Sequence, residues 1–282
     1  MSEHPLTWLD VFTREPLSGN QLAVIHDADG VPDDTMLAFA RETRLSETSF
    51  VQSPAAAGAD YRNRIWMVRA EVPFAGHPTL GVAVAVALAR GDTEARYVQQ
   101  TPAGLQPIDV TVTGERTARA SMLQEPATFG LELDEAVLRA LGLDARHGDP
   151  ELPPQVVNTG AFQVLVPVRR EALAELRPDF EACRAIIDEH HALTIYAAAV
   201  DGETARARAI LVDLDRLGED PATGSAAGPL MAYLHERRGL ERLRVEQGIE
   251  MGRPSVLDCS FEGDRARVGG EAVVVARGTV RL

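Results

Sequence analysis

Lysine is absent from this chain, and every one of its 28 basic residues is an arginine. A chain without lysine has no side-chain amine for an internal Schiff base, which excludes pyridoxal phosphate enzymes and lysine-dependent aldolases. A phosphate-binding loop of the Walker type would also be without its lysine. The composition therefore removes several large enzyme classes before any motif is considered.

Cysteine is scarce as well, with only Cys183 and Cys259 in 282 residues. Two cysteines do not build a disulfide framework, and residues 1–5 lack the basic and apolar regions of a secretory signal. We therefore expect a cytoplasmic protein. Both cysteines are interpreted as small buried hydrophobic residues.

Positive charge and long apolar runs are also in short supply. The formal net charge is −14 at pH 7, so the overall field repels nucleic acid and anionic membranes. The longest apolar stretch, residues 80–89, is far too short to cross a bilayer. We expect no nucleic acid partner and no membrane partner, and any anionic ligand must be held by a locally built site.

The chain shows the pattern of an internal duplication. Residues 71–77 align without gaps with residues 219–225, and an apolar helix is predicted after each, over 79–89 and 226–234. Strand-like and helix-like segments follow the same order in both halves, which favours a repeated unit. Three further predictions are strands over 46–51 and 207–214 and a helix over 170–189.

The two apolar helices define the predicted architecture. Each is apolar on nearly every face, so each must be buried on all sides. We predict an α/β (α+β) fold of two pseudo-symmetric domains, each a curved, mostly antiparallel sheet around a central buried helix. Residues 1–117 plus about 270–282 form the first domain. Residues 118–269 form the second, with the ligand site expected in the cleft between them.

The starts of these helices concentrate the polar chemistry. The first N–H groups of a helix have no helical acceptor, and the helix dipole adds partial positive charge there. Gly76 and His77 begin one helix, and Gly224 and Ser225 begin the other. A substrate carboxylate can be held at such starts without lysine.

A series of motifs then identifies a family. They are Gly19-Asn20-x-Leu-Ala-Val, Leu45-Ser46-Glu47-Thr48-x-Phe50-Val51, Pro73-Phe74-Ala75-Gly76-His77-Pro78, Asp220-x-Ala-Thr-Gly-Ser-Ala-Ala-Gly-Pro, Gln247-Gly248-x-Glu250-x-Gly252-Arg253-Pro254-Ser255 and Arg277-Gly278-Thr279. In this order they resemble the PhzF family of phenazine biosynthesis, and the resemblance covers residues 10–282. It implies the diaminopimelate epimerase-like fold, which is the duplicated architecture described above, and a homodimer.

The resemblance also implies roles for single residues. Glu47 matches the family's catalytic glutamate, which shuttles a proton, and His77 and Asp220 match the other polar groups around the substrate. The groups that hold the substrate match Gly76, Gly224 and Ser225. The implied activity is that of a trans-2,3-dihydro-3-hydroxyanthranilate isomerase. Such an enzyme moves a proton on a small anionic metabolite, with no cofactor and no metal.

The residues suit this chemistry, and two alternatives stay open. A carboxylic acid buried against apolar neighbours has a raised pKa and can take and return a proton near neutrality; Glu47 lies between Leu45 and Phe50. Related epimerases carry a cysteine before the glycine of each helix start, where this chain has Ala75 and Thr223. The alternatives are an amino-acid racemase or epimerase without catalytic thiols, and a non-catalytic small-molecule binding protein.

Three other polar groups are interpreted as structural or left open. The run from Asp188 to His191 is not a metal site, because adjacent residues on a helix point in different directions. Arg206 and Arg208 share one face of a predicted strand and are expected to be exposed rather than bound to substrate. Arg253 either binds substrate or fixes a turn.

Overall fold

The computed structural model describes residues 2–213 and 216–282. The chain divides into two compact units. Unit 1 is Met1–Met122 with Gly269–Leu282, and unit 2 is Leu123–Val268. Among the helices of these described residues, none has the length and apolarity needed to span a bilayer.

Unit 1 combines a mixed sheet with one long helix. Its elements are β1 (Glu3–Val11), β2 (Asn20–Ile25), α1 (Asp33–Thr43), β3 (Thr48–Gln52), β4 (Tyr61–Trp66), β5 (Glu71–Val72), α2 (Gly76–Arg90), β6 (Glu94–Thr101), β7 (Gly104–Val112), β8 (Thr117–Leu123) and most of the last strand, β17 (Arg265–Arg281). The pair β1–β2 is antiparallel, and β2–β3 is parallel. The strands β3, β4 and β5 pair antiparallel in turn, and β6 then pairs parallel to β4 and antiparallel to β7.

Unit 2 repeats this plan after one additional strand and helix. Its elements are β9 (Thr128–Glu132), α3 (Ala136–Ala140), β10 (Gln155–Asn158), β11 (Phe162–Pro167), α4 (Ala172–Glu175), α5 (Phe180–Glu189), β12 (Thr194–Asp201), β13 (Thr204–Asp213), β14 (Arg216–Asp220), α6 (Gly224–Arg238), β15 (Arg242–Gln247), β16 (Ser255–Glu262) and the start of β17. The pair β10–β11 is antiparallel, and β11–β12 is parallel. The strands β12, β13 and β14 pair antiparallel, and β15 pairs parallel to β13 and antiparallel to β16.

The identical order of parallel and antiparallel pairings confirms the predicted duplication and fold class. In each unit an antiparallel hairpin is followed by a parallel step, two antiparallel steps, a helix of 15 residues and a parallel return. Because the direction of pairing agrees strand by strand, the likeness extends well beyond the short repeat visible in the sequence. The fold is α+β, with mostly antiparallel sheets.

The two long helices, α2 and α6, are buried, as their apolar sequences predict. In α2 every residue from Gly76 to Ala87 is buried. Pro78 lies in the first turn, where its missing N–H has no helical acceptor to lose. A Cβ atom on Gly81 would lie 2.6 Å from the side chain of Leu22, so the close approach of helix and sheet requires glycine there.

Two of the predicted elements are wrong in their bounds. The helix predicted over 170–189 is interrupted: α4 ends at Glu175, and α5 begins at Phe180 after Asp179, whose side chain caps it. Pro178 lies between them, and proline disfavours helical backbone in the residue before it. The strand predicted over 46–51 begins only at Thr48, which leaves Glu47 in a loop. The predicted strand over 207–214 falls on β13, but its last residue, Leu214, lies outside the described residues.

Each unit contains a buried arginine that bridges two neighbouring strands. Arg64 on β4 donates to both carboxylate oxygens of Glu71 on β5, at 2.8 and 2.6 Å. In unit 2, Arg208 on β13 donates in the same bidentate way to Glu219 on β14. Its remaining nitrogen donates to the carbonyl of Leu173 at 2.5 Å. The expectation that Arg208 is exposed is therefore wrong, because its side chain is only 10% exposed.

We predict that Arg208→Met lowers the free energy of unfolding by about 3 kcal/mol, because it leaves the Glu219 carboxylate buried without its partner. The double variant Arg208→Met/Glu219→Leu should recover most of this loss, since both charges are removed. Urea unfolding followed by circular dichroism measures the free energy of unfolding of the wild type, the single variant and the double variant. Arg96→Met is the control, because its ion pair with Asp109 is exposed and contributes at most about 1 kcal/mol. An equal loss of unfolding free energy in Arg208→Met and Arg96→Met would contradict the prediction.

Candidate functional site

Two of the predicted catalytic residues meet at the start of α2. Glu47 lies in the loop directly before β3, and His77 is the second residue of α2. Nε2 of His77 lies 3.6 Å from Oε2 of Glu47, and the side chains are 7% and 15% exposed. This separation exceeds a hydrogen bond, but at reduced solvent exposure it couples the two groups electrostatically.

The loop that carries Glu47 is anchored on both sides. The helix α1 ends at Thr43, and its C-cap residue, Arg44, adopts a left-handed conformation with φ 54°. The hydroxyl groups of Thr43 and Thr48 hydrogen-bond across the loop at 2.9 Å. Phe50, three residues after Glu47, is completely buried. These contacts hold the glutamate at a defined point between helix and strand.

The start of α2 is held by buried polar side chains. The N-cap residue, Ala75, has an extended backbone and no polar side chain that could cap the helix. Its carbonyl accepts a hydrogen bond from the hydroxyl of Thr79 at 2.8 Å, and that hydroxyl accepts one from the amide of Gln99, also at 2.8 Å. Asn63 in turn donates to Oε1 of Gln99 at 3.1 Å. The imidazole of His77 is therefore directed by a fixed helix start toward Glu47.

In unit 2 the other predicted residues gather at the start of α6. Asp220 ends β14, and its Oδ2 accepts a hydrogen bond from the hydroxyl of Thr223 at 2.7 Å. The side-chain amide of Gln247 donates to the carbonyl of Asp220 at 2.7 Å and to the Thr223 hydroxyl at 2.9 Å. Gly224 and Ser225 follow as the first two residues of the helix.

A second buried glutamine braces the same helix start. Gln124 donates to the carbonyl of Gly224 at 2.9 Å. A Cβ atom on Gly228 would lie 1.9 Å from Oε1 of Gln124, so this contact requires glycine. Pro229, inside α6, has no N–H to donate to the carbonyl of Ser225 four residues earlier. The first turn of α6 therefore combines a side-chain hydrogen bond to the Gly224 carbonyl with a missing helical donor to the Ser225 carbonyl.

Sequence reasoning identifies the catalytic candidates but not the three glutamines that support them. Gln247 begins one of the family motifs, which is a signal without an assigned role. Gln99 and Gln247 are separated by the same number of residues as Gly76 and Gly224. Extending the duplicated alignment beyond the helices would have found Gln99. We see no sequence signal for Gln124.

The strand registers align the two units residue by residue. On β3, Phe50 pairs with Arg64, and on β12, Ala197 pairs with Arg208. Because the two arginines make the same bidentate contact, Phe50 and Ala197 occupy equivalent positions. The residues three places before these, Glu47 and Thr194, then correspond as well.

This alignment shows how the two units differ. Glu47 of unit 1 corresponds to Thr194 of unit 2, which is buried and donates to Gln163 at 2.6 Å. At the helix starts, His77 corresponds to Ser225. The glutamate and imidazole of unit 1 therefore have hydroxyl groups as their counterparts in unit 2.

The cysteines lie in positions unsuited to acid–base chemistry. Cys183 is buried under α3, with Sγ 3.3 Å from the carbonyl of Ala140, and burial raises its pKa to about 12. Cys259 lies on β16, with Sγ 3.8 Å from the carbonyl of Ala227 in α6, and burial raises its pKa as well. Cys259 thus approaches α6 more closely than its place in the sequence suggests, but both thiols stay protonated near neutral pH.

The polar groups set aside by the sequence analysis have structural surroundings. His190 is the C-cap of α5, and His191 has a left-handed backbone with φ 51°. Within residues 2–213 and 216–282, no three His, Cys, Asp or Glu side chains are placed to hold a metal ion. Arg206 is half-buried in an ion pair with Glu250 at 2.7 Å. The backbone N–H of Arg253 closes a turn onto the carbonyl of Gly248 at 3.0 Å.

Comparison with known proteins agrees with this geometry. Residues 9–278 match the family model described as phenazine biosynthesis-like protein. A trans-2,3-dihydro-3-hydroxyanthranilate isomerase of Pseudomonas fluorescens is 35% identical, with 99% of this chain and all of that protein aligned. Among solved structures, a predicted epimerase of Pseudomonas aeruginosa has a TM-score of 0.87 at 35% identity and covers 99% of both chains. A hydroxyproline epimerase of Agrobacterium vitis shares the fold, with a TM-score of 0.69 at 14% identity over 99% of this chain and 92% of that one.

The duplicated α+β fold and the full-length relatives identify the chain as an isomerase with the epimerase-like fold. Within that class, the chain belongs to the phenazine biosynthesis-like family, PhzC-PhzF. The match extends through nearly the whole chain, so both units are part of the family resemblance.

We predict that neither thiol of the native protein reacts with Ellman's reagent at pH 8. Burial both blocks access and keeps each sulfur protonated, whereas the thiolate is the reacting form. Absorbance at 412 nm should rise only after guanidinium chloride unfolds the chain, and then by two thiols per chain. A thiol that reacts within minutes in the native protein would contradict the burial described for Cys183 and Cys259.

Proposed function

We propose that this chain is an isomerase of the trans-2,3-dihydro-3-hydroxyanthranilate type, acting on a small carboxylate-bearing ring without an organic cofactor. The observation that carries the proposal is the pair of Glu47 and His77, held 3.6 Å apart in a half-buried place at a helix start. The 35% identical relative from Pseudomonas fluorescens, aligned over its whole length, bears the name of this reaction.

Glu47 is the group we assign to proton transfer. A carboxylate removes a proton from one ring carbon, and the carboxylic acid so formed returns a proton to another carbon, so that the double bond shifts and an enol becomes a ketone. His77 stabilises the charge that appears on the carboxylate or on the substrate oxygen as the proton moves. No electron acceptor is needed, because substrate and product are isomers.

The substrate carboxylate is assigned to the starts of the two long helices. Gly76, Gly224 and Ser225 contribute first-turn N–H groups, which carry the partial positive charge of the helix dipole. Such groups hold an anion in a protein whose overall field repels it. Asp220 is assigned to a donor group of the substrate, an amine or a hydroxyl. The location of the site between the two domains stays a prediction from the sequence.

The alternatives are less well supported by the aligned positions. Racemisation by two bases requires a second proton acceptor, yet Thr194 and Ser225 stand in unit 2 where unit 1 has Glu47 and His77. Asp220 would have to serve as that base while accepting a hydrogen bond from Thr223. A non-catalytic binding protein, in turn, has no use for a coupled glutamate and imidazole.

Two further expectations come from the sequence, the location from the scarce cysteines and the N-terminal residues, and the assembly from the family resemblance. We propose that the protein is cytoplasmic and that it forms a homodimer. Size-exclusion chromatography with light scattering measures the assembly, for which the chain mass of 30.4 kDa is the reference. A monomeric mass at micromolar concentration would overturn the homodimer.

We predict that Glu47→Gln lowers kcat for trans-2,3-dihydro-3-hydroxyanthranilate by at least about 100-fold, because the amide cannot accept and return the proton. The circular dichroism spectrum should stay that of the wild type, since Glu47 lies in a loop. Turnover is followed by absorbance, and NMR in deuterium oxide locates the carbon that gains deuterium.

Glu175→Gln is the matched control. Glu175 also contacts a buried histidine, with Oε2 3.1 Å from Nε2 of His147, but this pair is remote from α2 and α6 in the chain and has no assigned role. Its kcat should stay within about twofold of wild type. Retention of more than half the activity by Glu47→Gln would remove Glu47 from the mechanism. A folded wild type without turnover would overturn the named substrate and direct the search to a racemase screen.

A further inference from the structure

A continuous chain of hydrogen bonds leads to the Asp220 carboxylate from inside unit 2. The hydroxyl of Tyr196 donates to Oε1 of Gln247 at 2.9 Å. Nε2 of Gln247 donates to the hydroxyl of Thr223 at 2.9 Å, and that hydroxyl donates to Oδ2 of Asp220 at 2.7 Å. Each donor is thereby matched to the acceptor that follows it.

The chemistry of Gln247 fixes the direction of this chain. Its side chain is completely buried, and its amide makes four hydrogen bonds. The nitrogen donates to Thr223 and to the carbonyl of Asp220, while the oxygen accepts from Tyr196 and from the backbone N–H of Thr223 at 3.1 Å. A flipped amide would place donor against donor at the Thr223 N–H and acceptor against acceptor at the Asp220 carbonyl. Burial raises the pKa of Tyr196, so its hydroxyl keeps the proton that it donates.

Because Gln247 already donates to the Thr223 oxygen, the hydroxyl proton of Thr223 points to Asp220. A carboxylate held by an oriented donor does not have to reorganise when a substrate arrives, and this lowers the cost of reaching the transition state. The chain of bonds therefore acts on catalysis through the orientation of Asp220.

The duplicated unit has a buried glutamine in the same position but a threonine in a different one. In unit 1, Gln99 is equally buried and donates to the hydroxyl of Thr79, which then donates to the backbone carbonyl of Ala75. There the chain of bonds ends on the helix start itself. In the aligned sequence Val72 stands in place of Asp220, so only the version in unit 2 reaches a carboxylate.

We propose that Thr223 and Gln247 are positioning residues that set the orientation of the Asp220 carboxylate for catalysis. The inference rests on the proposed function in one respect, the assignment of Asp220 to the substrate. It concerns residues to which the sequence analysis gives no such role, and it predicts a graded effect that a single hydroxyl group controls.

The test compares Thr223→Val with Thr223→Ser. Valine keeps the shape of threonine and removes the hydroxyl, whereas serine keeps the hydroxyl and loses a methyl group. We expect kcat for trans-2,3-dihydro-3-hydroxyanthranilate to fall about 10- to 100-fold in the valine variant and to stay within about threefold in the serine variant, with KM changed less than kcat in both.

Gln247→Met should lower kcat as Thr223→Val does. The kcat of the double variant should be no lower than that of the less active single variant, because both changes interrupt the same chain of hydrogen bonds. Gln163→Met is the matched control. Gln163 is also a completely buried glutamine of unit 2, and it bonds to Thr194 rather than to the α6 start. It should lower the unfolding midpoint without lowering kcat of the folded protein.

Crystal structures of the two threonine variants give a readout that does not depend on substrate. Asp220 should keep its wild-type orientation in Thr223→Ser and leave it in Thr223→Val. An unchanged Asp220 orientation in the valine variant, or equal kcat in the valine and serine variants, would overturn the proposal. If the wild type does not turn over this compound, the named substrate fails and the Asp220 orientations decide the positioning role alone.

Discussion

The two long helices can exist only where their faces and their first turns find buried partners. Their sequences offer almost no polar face, and α2 has no side-chain N-cap, as α6 has none. Removing a helix start from water without partners is costly, so the sheet must provide them. At the start of α6, Gln247 accepts from the backbone N–H of Thr223 and Gln124 donates to the carbonyl of Gly224. At the start of α2, Gln99 donates to the hydroxyl of Thr79. The residues at those starts, His77 and Asp220 among them, inherit their geometry from this requirement.

Duplication has kept the support of the helices and changed the chemistry around them. The bidentate pairs of Arg64 with Glu71 and of Arg208 with Glu219 occupy equivalent strands in the two units. The buried glutamines correspond as well. In contrast, a glutamate and an imidazole in unit 1 have a threonine and a serine as counterparts. A scaffold that stabilises itself by repeated contacts can therefore place different functional groups at equivalent points without changing the fold.

Local sequence patterns predict structural features that depend on neighbouring residues. They do not predict features that depend on contacts between residues far apart in the sequence. Apolar periodicity and the repeated Gly-started helices predict the duplicated fold, since burial of α2 and α6 follows from their own residues. The break at Pro178 is also a local effect, because proline disfavours helical backbone in the residue before it. The burial of Arg208 depends on Glu219 across a strand pair, and the roles of the three glutamines depend on tertiary contacts alone. No window of sequence contains those partners together.

The residue before each helix glycine shows how one position can exchange one chemistry for another. In the epimerases that this chain resembles, a cysteine at that place exchanges protons itself. Ala75 has no polar group to replace it, so in our proposal the acid–base work in unit 1 is assigned to Glu47 and His77. Thr223 has a hydroxyl that does not ionise near neutral pH, and it donates to Asp220 instead. At the position where those epimerases carry a thiol, unit 2 of this chain therefore has a hydroxyl group that donates to a carboxylate and, in our proposal, orients it.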